Sequence, residues 1–156
     1  MNEKESVHLF EVLERYNNQP LIYGKRDCHL LFLTVYKYDD ILSKLENRYT
    51  TISGGLRVAT RLFNNDQIAW KNMDQMLAEE FSEVDISGYL QLGDCVYDRK
   101  SRVVGIVTYD GIFWATRVVN NKYTLWDDCC FTLTSWGNIN EKALNGFRAY
   151  RKNTEV

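Results

Sequence analysis

The chain has little of what hydrolytic and metal chemistry usually draws on. Of its 156 residues only two are histidine, His8 and His29, so an imidazole base within the chain has two places to come from. Proline occurs once, at Pro20, which excludes proline-rich linkers and extended recognition tracts. The four cysteines, at 28, 95, 129 and 130, contain no Cys-x-x-Cys pair. The adjacent Cys129-Cys130 pair is a poor start for a zinc site, so neither metal nor cofactor is expected and the thiols are read as free. A net charge of -2 and a pI near 5.7 leave no basic footprint for nucleic acid. No apolar run reaches the roughly 18 to 20 residues of a membrane span. The opening Met1-Asn2-Glu3-Lys4-Glu5 is polar and carries no signal-peptide core, so synthesis in a cytoplasm is expected.

What is present is an ordinary globular balance, 45% hydrophobic and 26% charged, enough for one domain over 1–156 with its own core. Aromatic residues are generous at 13%, which suits interaction surfaces as well as cores. The first half carries helical spacing. Leu9, Phe10, Leu13 and Tyr16 predict a helix over Ser6–Tyr16, ended by Asn17-Asn18-Gln19-Pro20. A second helix is predicted from Asp27, its cap, to about Tyr38. A third follows Ser53-Gly54-Gly55, and a fourth covers Asn72 to Phe81. The acidic stretch Glu79–Asp85 reads as a solvated helix end.

From Leu92 onward the pattern is that of strands. Gly93–Asp98, Val103–Tyr109 and Ile112–Val118 are separated by turns at Arg99-Lys100-Ser101 and Asp110-Gly111. A second turn at Asn120-Asn121 leads into Tyr123–Trp126, and a last strand is predicted at Phe147–Arg151. The expected class is α+β, with N-terminal helices packed on a small antiparallel sheet or partial barrel.

The most telling segment is Tyr23-Gly24-Lys25-Arg26-Asp27-Cys28, which runs straight into the apolar helix His29–Tyr36. A thiol in the first turn of a helix faces unpaired amides and the positive end of the dipole, which favour its thiolate. Nucleophilic chemistry needs a base within reach as well. His29 follows Cys28 directly and points about 100° away around the axis. His8 lies on another helix. Asp27 and Asp94 carry carboxylates, whose pKa near 4 is badly matched to a thiol. The bland reading of Cys28 is a small buried residue at a helix start.

The Gly-x-x-Asp-Cys turn, the later Gly93-Asp94 and the Val103-Val104-Gly105-Ile106 hairpin strand together resemble the NlpC-type papain-fold cell-wall peptidases. The segment Arg48-Tyr49 and the helix start Gly54-Gly55-Leu56 bring the chain closer to a phage-encoded branch of that fold, found among tail genes. The resemblance spans roughly Tyr16 to Val118 and implies a papain-like, NlpC-type fold. Cys28 then falls on the nucleophile position. Val103 stands where active members carry the catalytic histidine, and Trp114 where they carry the residue that orients it. Two of three catalytic positions are lost.

The function implied is a structural component of a phage tail tip or baseplate hub, built on a degenerate peptidase fold. Its partners would be other tail-tip or baseplate proteins and peptidoglycan, and its place the virion. The alternative is an active peptidoglycan endopeptidase, with Cys28 as nucleophile and a base supplied from an unexpected position or another chain. A third reading is a domain that binds a small amide or acyl ligand in the remnant groove. The four tryptophans, Trp70, Trp114, Trp126 and Trp136, are read as core and interface packing rather than a carbohydrate platform.

Overall fold

A computed structural model describes residues 1–117 and 129–154 of the chain. Their architecture is α+β. Five helices come first, α1 (Glu3–Tyr16), α2 (Cys28–Val35), α3 (Asp39–Leu45), α4 (Ile52–Asn64) and α5 (Met73–Glu80). Six strands follow, β1 (Phe81–Val84), β2 (Cys95–Asp98), β3 (Val104–Val107), β4 (Gly111–Arg117), β5 (Cys129–Ser135) and β6 (Phe147–Lys152). All strand pairings are antiparallel, in the order β1-β6-β2-β3-β4-β5. The turn at Asn120-Asn121, the segment Tyr123–Trp126 and with it Trp126 lie outside the described residues.

Local chemistry accounts for the helix boundaries. α1 starts earlier than its apolar spacing predicts, because Asn2 and Glu5 form a reciprocal capping box that adds a polar first turn. Val12 takes the buried place expected of Phe10, which is 44% exposed. α2 is apolar on every side, with Leu30, Leu31, Phe32, Leu33 and Val35 all buried, as befits a helix wrapped by the rest of the molecule. It stops at Val35 instead of reaching Tyr38, since Lys37 takes a left-handed φ of 62° and α3 begins on a new axis. Gly54 and Gly55 lie inside the first turn of α4, whose cap is Thr51: its Oγ1 accepts from the Gly54 amide at 2.9 Å.

The stretch read as a solvated helix end becomes a strand. Phe81 to Val84 pair with Lys152 to Ala149 of β6, a partnership with the far end of the chain that local spacing does not reveal. The Asp110-Gly111 hairpin is present, closed by the Thr108 amide donating to Gly111 O at 2.8 Å.

The sheet has two apolar faces. Leu9, Val12, Leu31, Phe32 and Leu77 of the helices pack on Cys95, Tyr97, Val104, Ile106, Phe113 and Phe131. The opposite face holds Val96, Val107, Ile112, Trp114 and Ala149, covered by Ile86, Leu90, Ile139 and Leu144 from the connections. Strand alternation assigns each side chain to one of these faces. Among the described residues no helix is long and apolar enough to cross a membrane.

Candidate functional site

The turn that delivers Cys28 is built around Gly24 and Asp27. Ile22 and Arg26 exchange backbone bonds of 2.8 and 2.9 Å, which folds the chain back tightly with Gly24 at a φ of 85°. A Cβ at Gly24 would also sit 2.0 Å from the Tyr49 carbonyl oxygen, so glycine is required twice over. Asp27 is 1% exposed and caps α2: its Oδ1 accepts from the Leu30 amide at 2.9 Å. Its Oδ2 accepts from the Gly24 amide at 2.9 Å and from the Tyr49 hydroxyl at 2.6 Å. The Tyr49 ring lies against Gly55, where a Cβ would stand 3.1 Å from it. The segments Gly24–Cys28, Tyr49 and Gly54-Gly55 are thus one bonded unit.

Cys28 is partly buried, and its Sγ–H donates to the Arg102 carbonyl at 3.7 Å. Its thiol pKa is pushed up to about 12, first by loss of water and next by the Asp27 carboxylate; the backbone of Val104, Cys28 and His29 pulls it down by less. The expected thiolate preference is therefore reversed: the helix end favours the anion, but desolvation and a buried carboxylate outweigh it.

Two of the anticipated bases, His8 and Asp94, are engaged away from this thiol. His8 Nε2 meets the Thr34 carbonyl at 2.8 Å, six residues along α2 from Cys28, or about 9 Å of helix axis. Asp94 is held by Arg151, whose Nε and an Nη donate to its two oxygens at 2.9 Å each. It stands at the far end of β2 from the β3 start, since Cys95 pairs with Ile106. Val103 immediately precedes β3, between the Arg102 and Val104 peptide groups that approach the thiol. It offers only its half-buried alkyl side chain. Trp114 requires a correction. It lies on the sheet face away from α2, donates from Nε1 to Thr134 Oγ1 at 2.9 Å, and packs against Phe147. The β4 residues on the thiol's side of the sheet are Phe113 and Ala115.

The feature that spacing did not expose is the surroundings of His29. It lines a cavity of about 80 Å³ together with Asp27, Tyr49 and Arg102, roofed by Ile52, Leu56 and Ala59 of α4. Its Nε2 is buried without a hydrogen-bond partner. The imidazole pKa is lowered, chiefly by burial, with the Asp27 carboxylate and the Arg102 backbone acting the other way. The one available signal was Tyr49 followed by Gly54-Gly55, a large ring beside a surface made flat for it. Among the described residues no group of three or more His, Cys, Asp or Glu is placed to hold a metal ion, and no disulfide joins the cysteines.

A family model described as "Domain of unknown function (DUF6950)" matches residues 3–125. No curated protein and no solved structure matches the chain.

Proposed function

The chain belongs to the DUF6950 family, and from its own residues we propose that it is a non-catalytic module of papain-like, NlpC-type fold. It serves as a structural component of a phage tail tip or baseplate hub. The observation that carries this reading is the state of Cys28, whose thiol is held protonated beside a buried carboxylate while His8 and Asp94 are engaged elsewhere. A scaffold role gives the motif residues a purpose without chemistry: Gly24, Asp27, Tyr49 and Gly55 fasten the start of α2 to the start of α4.

Surface composition supports assembly. Tyr89 is 90% exposed and Tyr109 72%, beside Trp136 and Phe10, and bare aromatic rings of this kind are the residues that interfaces favour. The partners would be other tail-tip or baseplate proteins, with peptidoglycan as a surface contacted during entry. The module would be made in the host cytoplasm and end in the virion.

The test is catalytic and chemical together. The purified chain is incubated with peptidoglycan, and soluble fragments are separated; in parallel, alkylation of Cys28 is followed by mass spectrometry. A thiol moved from 9.0 to about 12 holds about a thousandfold less thiolate near neutral pH, so slow labelling and no fragments are expected. Fragment release that disappears in Cys28→Ser would overturn the reading in favour of the endopeptidase.

A further inference from the structure

The exposed rings that suit an assembly surface also border a cleft, whose lining shares no residue with the Cys28 turn. It encloses about 540 Å³, within the roughly 300 to 1,000 Å³ of small-ligand sites. Tyr89, Tyr109 and Trp136 stand around it, from three separate segments: the connection before β2, the β3–β4 turn and the turn after β5. Trp136 is fixed in place. Its amide donates to Asp110 O at 3.1 Å and its indole Nε1 to Tyr109 O at 2.9 Å, so the ring's donor is spent and its face is what a ligand can use. The Tyr109 ring leans on Phe10, with centroids 6.4 Å apart. The connection that carries Tyr89 is tied on both sides of it. Asp85 Oδ1 accepts from the Ser87 amide at 3.0 Å, and the Gln91 amide donates to Asp94 Oδ2 at 2.8 Å. A cleft framed by anchored segments loses little freedom when a ligand settles in it.

We propose that this cleft binds a neutral oligosaccharide of N-acetylated sugars. Three observations select that chemistry. Among the described residues that line the cleft none is Asp, Glu, Lys, Arg or His, so a charged ligand would lose water there without gaining a partner. The lining combines aromatic rings with exposed polar ends, the Gln91 carboxamide and the Tyr89 and Tyr109 hydroxyls. A pyranose matches that combination, since its C–H bonds form an apolar face that lies on a ring while its hydroxyls point outward to polar groups. Ile139 and Leu144 add an aliphatic wall that a plain hexose leaves unmet; an acetamido group brings a methyl for that wall and an amide for Gln91. A peptide fits less well. A tryptophan that holds a peptide in an aromatic groove donates Nε1 to a peptide carbonyl, and here that donor is already taken. Sugar binding depends on the cleft alone and stands or falls apart from the assembly reading.

The full-length chain is titrated with chitotriose, the trimer of N-acetylglucosamine, and with cellotriose, which has the same linkage and no acetamido groups. Calorimetry and NMR of the Trp136 indole follow the binding. Chitotriose should bind saturably and about tenfold tighter than cellotriose, the worth of one hydrogen bond and one buried methyl. Tyr89→Ala, at a position 90% exposed and so remote from the core, should weaken chitotriose severalfold, and Tyr89→Phe, which keeps the ring, should restore most of the loss. Chitin beads and peptidoglycan sacculi then separate the sources of such a glycan: retention by either supports the proposal and retention by neither overturns it. Failure on sacculi alone counts against the wall contact proposed above and not against the cleft. No saturable binding of chitotriose, equal affinity for the two trimers, or unchanged binding in Tyr89→Ala would each overturn the proposal. So would a proline-rich peptide that shifts the Trp136 signal where chitotriose leaves it unmoved. The comparison of trimers needs no variant, so a misfolded substitution does not decide it.

Discussion

The dipeptide Asp-Cys opens two elements of this molecule, and the two copies are held in different ways. Asp27 precedes helix α2 and Asp94 precedes strand β2; each is 1% exposed. Asp27 is bonded by neutral donors, two backbone amides and the Tyr49 hydroxyl. Asp94 is matched by the guanidinium of Arg151, with the Gln91 amide as a further donor at 2.8 Å. In both places the cysteine that follows is raised, first by burial, with the preceding carboxylate adding to it. Asp-Cys at the start of an element is here a fastening device, with the carboxylate as the tie and the cysteine as a small packed neighbour. In its physical state the helix copy resembles the strand copy.

The largest effect should come from cutting the neutral tie. Asp27→Ala leaves three donors without their acceptor, two of them backbone amides, one in the turn and one in the first turn of α2, and should cost about 4 kcal/mol in urea unfolding. Asp94→Ala should cost roughly half that, because the Arg151 side chain is 37% exposed and can return to water. Equal losses would erase the distinction between the two ties. The converse cut sharpens it. Arg151→Ala strands a carboxylate that is 2% exposed, and a buried charge without its partner costs about 3 kcal/mol. Arg151→Ala should therefore be the more damaging end of that pair, and the reverse order would mean that Asp94 finds other donors.

The contrast also explains how much was legible beforehand. Elements governed by local rules were read from spacing: the helix expected over Asn72 to Phe81, found as α5, and the β3–β4 hairpin at Asp110-Gly111. Elements that depend on distant partners were not. β1 exists because β6, some seventy residues on, pairs with it, and the break after α2 turns on a lysine at positive φ, a residue type that gives no such signal. At the site, the cap role of Asp27 was legible from its place before an apolar run. The Tyr49 bond to it was not, since a loop tyrosine 22 residues away is tied by tertiary packing. The placement of Trp114 failed for a strand reason: along β4, Phe113 and Ala115 turn to the helices and Trp114 turns away, so one residue decides the face.

The smallest effects test the cysteines themselves. Cys95 is fully buried between Tyr36 and the sheet, whereas Cys28 is partly open. Removing each sulfur should cost about 1 kcal/mol for Cys95→Ala and less for Cys28→Ala, in proportion to the apolar area withdrawn from water. The sulfur of Cys28 also donates only a long contact of 3.7 Å to a carbonyl, and thiol donors are weak. If its role is packing, Cys28→Ser should cost more than Cys28→Ala, because a hydroxyl is dearer to strip of water than a thiol and its shorter bond to carbon moves it farther from Arg102 O. If Cys28→Ser is instead the better tolerated of the two, the Arg102 contact is a true hydrogen-bonding site, and the helix copy of the motif has a polar requirement that the strand copy lacks.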